Sequence, residues 1–580
     1  MIFAAALLLL AASLLAGDAY RWGAIALLVA ACAPWRALPT GTVTVILAFY
    51  CGWLLVNALF VTPAYSAESL YRPVILFAAF AAFASLGREA TVRLFRAGTA
   101  VMAALVLLGL LQHFAGYWHL DRNPLRAAGT FITPNTFATA INLFLLPLAA
   151  VYLSGDRSTK VFALALWLFA GLVASQSRGG MLAMFAGLAF VAPCLGRDRL
   201  RAAAKPAARL LAGGAAVWVG VVALGRVTVP WVHGDAVEVP SIDAWVGRTF
   251  WDRGEIYAAT LQLILERPWL GAGANMFWPL FEPLRPAVFG ESTFLFAHND
   301  YLQIWLEFGL PGLLLLLGLA AAALFTARGA WRGDPGDPLP LACGAALASC
   351  FAHAFVDFPF YVPFVLFVAG AMLGALAQAR GRGEALRMGR PEASAWAGTP
   401  VRAALALAAL VLLAQPMLAQ MATRHAVAVM SRGDVEAGLY WQSVARRLEP
   451  RNPVHYWAEA VIWRQLASES GDRSQWARAD RLLAEGIRAN PPHSFTITLD
   501  RARMHRLHAD ALADAAAPRE ILAWVESAVA RAPTSVAGQS ELARALAFAG
   551  RKEEARRIER ALRARQPDHP LVRTLAEEIK

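Results

Sequence analysis

The chain has 580 residues, 58% of them hydrophobic and only 16% charged, with a mean hydropathy of +0.48. An average soluble protein carries roughly 25% charged residues, so a water-soluble fold of this size could not hide so much apolar sequence. The formal net charge is +12, but arginines beside apolar runs set membrane topology, and no nucleic-acid partner is expected.

A spanning helix needs about 20 mainly apolar residues. Candidate spans, about thirteen in all, centre near residues 9, 28, 52, 78, 106, 144, 167, 187, 218, 314, 348, 370 and 410. Met1 to Gly17 lacks a basic n-region and a second apolar run follows from Trp22, so it reads as a retained first span. Cys32, Cys51, Cys194, Cys343 and Cys350 sit in or beside apolar runs, without CxxC or zinc spacing, and read as buried apolar side chains.

Orientation follows from the basic residues. Alternate loops carry Arg36; Arg88, Arg93 and Arg96; Arg157 and Lys160; Arg197, Arg199, Arg201, Lys205 and Arg209; Arg328 and Arg332; and Arg380, Arg382, Arg387 and Arg390. That set is assigned to the cytoplasm. The other set, with Arg21, Arg72, Arg122, Arg126 and Arg178, faces outward, as does the loop from about Val227 to Ala297. The Gly-, Arg- and Pro-rich stretch Arg380 to Pro400 is a cytoplasmic linker. The expected fold is all-α: a polytopic membrane helix bundle of about 12–13 spans over residues 1–420.

The tail, 421–580, is rich in Ala, Arg, Glu and Leu with helical periodicity. Its helical runs stop near Pro450, Pro491, Pro533 and Pro567. The last unit resembles a tetratricopeptide repeat at Leu542, Gly550, Ala555 and Pro567, without the characteristic Trp and Tyr. A periplasmic helical-repeat domain is expected.

Outward-facing arginines need a reason, because the positive-inside bias disfavours them. Arg126 lies in "RNPLRAAGTFITPNTFA", Arg178 in the turn "SQSRGG", and Arg248 and Arg253 in "GRTFWDRGEIY". A guanidinium offers a planar fork of donors suited to phosphate oxygens, and several together suit a pyrophosphate. For any one of them the alternative is snorkelling to lipid headgroups. In "FAHNDYLQIWLEFGLPGLLLLL", His298, Asn299, Asp300 and Gln303 stand at the mouth of a span with Glu307 deeper. His298 can take a proton near neutral pH, and Asp300 or Glu307 could orient it; the bland alternative is an interfacial histidine bonded to backbone. Pro311 and Gly312 should loosen the helix just below. In "HAFVDFPFYVP", His353 and Asp357 are four apart on one helical face, read as an intramembrane hydrogen-bonded pair more than as metal ligands. No phosphate-binding loop, HExxH or EF-hand loop occurs, so neither cofactor nor metal is expected. Gly271-Ala-Gly273 reads as a turn after a helix.

In order, "AAGTFITPNTFA", "SQSRGG", "DRGEIYAATLQLILERPWLGAGANMF", "AHNDYLQIWLEFGLPGLLL" and "HAFVDFPFYVPFVLFVAGAMLGA" resemble the bacterial O-antigen ligase and polymerase family, over about residues 40 to 380. The resemblance implies transfer of a glycan from undecaprenyl diphosphate to an acceptor on the periplasmic face of the inner membrane, without metal and with inversion. By the same resemblance His298 is the essential loop histidine, and Arg253 and Arg178 grip the pyrophosphate. Arg126, Arg248, Asn299, Asp300, Gln303 and Glu307 complete an expected substrate-binding set. The partners implied are the lipid-linked donor, the bilayer, and an acceptor that is a glycolipid, a growing glycan or a protein. "HNDYLQ" is closer to the ligase and polymerase branches, whereas an outward helical extension is familiar in the branch that glycosylates proteins. The competing classes are a lipid-linked-glycan transporter and a membrane scaffold. Against a transporter, the polar candidates gather on one face, not at the midplane, and no internal repeat is visible.

Overall fold

In a computed structural model the described residues are 39, 41–61, 70–116, 126–131, 133–233, 242–281, 284, 294–380, 415 and 418–579, apart from turn positions 492–493, 513–514, 531–532, 534, 566 and 568; side chains at 229–252 are not described. The expected spans near residues 9, 28 and 410, the linker after Arg380, and Cys32, Arg36 and Arg122 lie outside the described residues, and so does the side chain of Arg248. No strand occurs among the described residues.

The chain forms two compact units. One holds, of the described residues, 41–61, 70–251 and 297–380; the other holds 252–281, 284, 294–296 and those from 415 onward.

Up to Arg380 the helices run α1 Thr42–Val56, α2 Tyr71–Ser85, α3 Arg88–Ala115, α4 Pro134–Ser154, α5 Thr159–Ala174, α6 Arg178–His233, then α7 Ile242–Glu266 and α8 Phe277–Phe281 along the expected outer loop, and α9 Asp300–Gly333, α10 Leu339–His353 and α11 Pro363–Arg380. Residue 252 onward in α7, and all of α8, belong to the second unit. Among the described residues five helices are long and apolar enough to cross a membrane, and α2, α5, α10 and most of α11 are shorter apolar helices. This is a membrane protein. Local chemistry starts the helices. Thr133 accepts from the Thr136 N–H ahead of Pro134 at the first turn of α4, and Ser158 caps α5 in the same way.

Lipid tails offer no hydrophobic drive for helix association, so close van der Waals packing must do it. The α2–α11 pair shows how. A Cβ on Gly370 would stand 2.4 Å from the Leu76 carbonyl oxygen, and one on Gly374 2.5 Å from that of Phe80. Only glycines four apart let the two backbones approach this far. Helix α4 is the most enclosed, with Phe137, Ile141, Leu143 and Leu146 fully buried among α5, α6 and α10. Two long helices are broken by left-handed glycines, α6 at Gly196 and α9 at Gly309. The break in α9 therefore falls two residues before Pro311 rather than at Pro311–Gly312. At the break, Trp53 Nε1 donates to the Phe308 carbonyl at 2.8 Å.

The two sets of loops separated by charge also meet among themselves. Arg88 makes a bidentate pair with Asp337 at 2.9 and 2.8 Å, Arg199 donates to the Pro335 carbonyl, and Arg157 to that of Ala202. In the other set Arg126 donates to the Ser175 carbonyl and the Asp300 N–H to that of Ala354. The four described cysteines, Cys51, Cys194, Cys343 and Cys350, are buried and unbridged.

In the second unit a helix over 418–430 precedes α12 Val435–Leu448, α13 Pro453–Ser470, α14 Arg473–Ala489, α15 Phe495–Leu507, α16 Pro518–Ala530, α17 Val536–Phe548, α18 Lys552–Arg565 and α19 Pro570–Glu578, each packed on the next. Helices end just before Pro450, Pro491, Pro533 and Pro567, where the sequence expects them to. Between α17 and α18, Gly550 takes a left-handed φ of 81°, and Ala555 beyond it is fully buried.

Candidate functional site

The turn "SQSRGG" shows why this sequence is needed. Ser177 Oγ caps α6 by accepting from the Gly180 N–H at 3.1 Å. A Cβ on Gly180 would collide with Ala138 at 2.6 Å, and one on Gly179 would stand 2.8 Å from His353 Nε2. The two glycines thus seat the start of α6, with Arg178 at its first position, against α4 and His353. A helix N-terminus carries unpaired N–H groups and a partial positive charge.

His298 immediately precedes Asn299, the cap of α9, whose Oδ1 accepts from the Tyr301 and Leu302 N–H groups at 3.1 Å. Its Nδ1 lies 3.2 Å from Asp357 Oδ1, and its ring meets Phe358 edge-on at 5.2 Å. About a quarter of the His298 side chain is exposed (26%), against 2% for Asp357. Among the described residues three non-glycines adopt positive φ: Gln176 in the SRGG turn, Asn275, and His298 at 51°. Such a conformation costs on the order of 1–3 kcal/mol and persists where the surroundings impose it, often at functional sites. Asp357 in turn stands 3.8 Å from His353 Nε2, and His353 Nδ1 lies 2.7 Å from Thr139 Oγ1. Four segments therefore converge on one place: the start of α6, residues 297–300, the end of α10 with the residues after it, and α4.

The carboxylate that meets His298 is Asp357, neither Asp300 nor Glu307. Both of those are fully buried. Asp300 accepts from the Phe360 N–H at 2.7 Å. Glu307 accepts from Gln303 at 3.1 Å and from the Tyr361 hydroxyl at 2.8 Å, and Gln303 Oε1 accepts from the Ala297 N–H at 2.8 Å. These side chains hold the loop before α9 and the segment after α10 in place. Arg126 likewise spends Nε on the Ser175 carbonyl and Nη2 on Asn135. His353 closes α10 while Asp357 lies beyond the helix end, so they do not share a helical face as the spacing suggests. Arg253 is half-buried on α7 in the second unit, and Arg248 lies on the same helix. Gly271 and Gly273 take φ of 79° and 106° just after α7, the expected turn.

Sequence reasoning missed three contributors. Asp357 was paired only with His353. Thr139 carries no signal in the sequence beyond a hydroxyl in an apolar span. Arg72, counted only for topology, sits with its guanidinium 4.0 Å from the Tyr361 ring centre and within Coulombic reach of Asp300. The signal that was there is polar side chains in otherwise apolar spans, which are costly unless they serve.

Comparison with curated proteins gives no match. A family model described as O-Antigen ligase matches residues 162–317, a stretch that includes Arg178, Arg248, Arg253, His298, Asp300, Gln303 and Glu307 and ends before His353 and Asp357. The ordered motifs and this match agree: residues 162–317 are similar to the O-antigen ligase family.

Proposed function

We propose that this membrane protein is a metal-independent, inverting glycosyltransferase of the inner membrane. It moves a glycan from undecaprenyl diphosphate to an acceptor on the periplasmic face. The observation that carries the reading is the His298–Asp357 pair, 3.2 Å apart, beside the α6 start that bears Arg178. A carboxylate on Nδ1 fixes the imidazole with Nδ1 protonated and leaves Nε2 as the basic nitrogen. In the proposed step Nε2 takes the proton of the acceptor hydroxyl as its oxygen attacks the anomeric carbon. The bond from that carbon to the diphosphate oxygen breaks, and the electron pair leaves with the undecaprenyl diphosphate. Negative charge grows on the leaving group, and preorganised cations stabilise such charge best. Arg178 and the N-terminus of α6 supply one such set; the resemblance to the family adds Arg253 as a second cation. The tail is proposed as a tetratricopeptide-like domain that binds the acceptor.

His298→Gln is the test. With a synthetic polyprenyl-diphosphate-linked saccharide, the variant should lose transfer by about 10²- to 10⁴-fold, the usual worth of a general base, and still bind donor. Retained transfer rejects the mechanism. Arg178→Lys should also fail, because an ammonium cannot reproduce a bidentate fork.

A further inference from the structure

Asp357 has two oxygens, and only one of them meets His298. We propose that His353 is a positioning residue for His298, acting through Asp357 and anchored by Thr139; this rests on the role proposed above for His298. Thr139 Oγ1 lies 3.1 Å from the Asn135 carbonyl, to which its hydroxyl donates, as helical threonines do. That leaves an oxygen lone pair to accept from His353 Nδ1–H at 2.7 Å. The ring is thereby held with Nε2 toward Asp357 Oδ2 at 3.8 Å, and Gly179 closes its other side.

Both His353 and Asp357 are 1% exposed, so water does not screen what passes between them. Two bare lone pairs facing each other in such a place would repel, so the pairing requires a proton on His353 Nε2. The distance is too long for a hydrogen bond and short enough for charge pairing. Oδ2 is then committed to His353, the carboxylate cannot rotate, and Oδ1 stays on His298. His298 needs this help because its backbone is strained and a quarter of its side chain is exposed. A base on a loop keeps its tautomer only if the partner beneath it is itself fixed. Asp300 and Glu307, the other carboxylates nearby, do not compete, since each accepts from its own donors.

The test is nitrogen NMR on full-length protein carrying 15N-imidazole labels in lipid nanodiscs, with the His298 signal identified by its loss in H298Q. The wild type should show His298 as a single Nδ1–H tautomer. H353Q keeps an N–H where Nε2 stood and should preserve it. H353L fills the space without a donor and should leave His298 exchanging between tautomers. Transfer in H353L should fall about 10- to 100-fold in kcat, the scale for removing a supporting partner, with the KM for donor unchanged. T139V should do the same more weakly and T139S should not, which keeps the test open if H353L folds poorly. In a D357N background H353L should cost nothing further, because the two act as one unit. A His298 tautomer unchanged in both H353L and T139V overturns the proposal, and so do losses that multiply in the double variant. If the tautomer responds as described but H298Q transfers normally, the positioning role stands and the catalytic reading fails.

Discussion

Two histidine–carboxylate pairs, one in each unit, look alike on paper and differ in what surrounds them. In the tail, His505 Nε2 lies 2.8 Å from Asp480 Oδ1, closer than His298 to Asp357. But His505 also accepts from the Ala516 N–H on Nδ1 at 3.0 Å, its side chain is 2% exposed, and Arg501 holds Asp480 bidentately at 2.6 and 3.0 Å. Every polar atom of that imidazole is committed inside the protein, so the pair is a stitch between α14, α15 and the segment before α16. The His298 pair is longer, strained and partly exposed. A histidine beside a carboxylate is therefore weak evidence of chemistry. What distinguishes the two is where strain and exposure coincide.

The largest expected effect tests that distinction. His505→Gln should leave transfer within about twofold of wild type while loosening α14 and α15, read as faster hydrogen exchange there. His298→Gln should do the reverse. Equal losses of transfer would show that the tail pair supports the chemistry and that exposure is a poor guide.

Next comes packing. The membrane unit is held by close approach, so Gly370→Ala, which drives a methyl into the Leu76 carbonyl, should cost on the order of 3 kcal/mol of stability, seen as a lower unfolding midpoint in detergent. Gly318, whose added Cβ would meet only Ile46 at 3.8 Å, should accept Ala within about 0.5 kcal/mol. A silent Gly370→Ala would mean that the α2–α11 contact is looser than drawn.

The tail is built around apolar cores, and part-buried ion pairs add to them. Burial pushes the Asp480 carboxyl up, but the hydrogen bonds from His505 and Arg501 outweigh it and hold the group down at about 2. An unfolded aspartate titrates near about 3.9. Because the folded value is the lower one, this stabilisation is complete above about pH 4 and drains away as pH falls toward 2. Asp480→Asn leaves Arg501 without its counter-charge and should cost about 2 kcal/mol at pH 7. The gap between variant and wild type, followed through the thermal midpoint of α14–α15 exchange, should narrow by pH 3. A gap independent of pH would mean the aspartate acts by shape alone.

The sequence made the membrane architecture legible because apolar runs of span length have few other uses, and the arginine loops sort into the two groups that meet in the structure. It also offered His298 and Arg178 as candidates. It could not reveal that Asp357 serves His298, because the two are 59 positions apart and only the packing of α10 against α9 joins them. Nor could it show that Asn299, Asp300, Gln303 and Glu307 spend their hydrogen bonds internally: a polar residue near a mouth looks the same whether it faces substrate or a backbone N–H. The break in α9 falls at Gly309 and not at Pro311: a residue without a Cβ takes the left-handed φ of 69° there.

The smallest expected effect concerns how far the two regions depend on each other. His298, Asp357, His353, Thr139 and Arg178 all lie in the first unit, whereas Arg253 lies in the same compact unit as the tail. Deleting residues 421–580 should therefore leave the His298 tautomer unchanged. Donor binding should weaken no more than in Arg253→Ala, because that arginine is the one proposed diphosphate contact whose own unit loses helices. Transfer to the native acceptor should fall much further than donor binding if the tail's helices receive the acceptor, as arrays of packed helical hairpins do on their concave faces. Quantitative donor titration of three proteins, full-length, truncated and Arg253→Ala, decides the matter. Truncation that weakens donor binding well beyond Arg253→Ala would show that the tail supports the first unit's site directly. Truncation that leaves native transfer at the full-length rate would remove the tail from the reaction altogether.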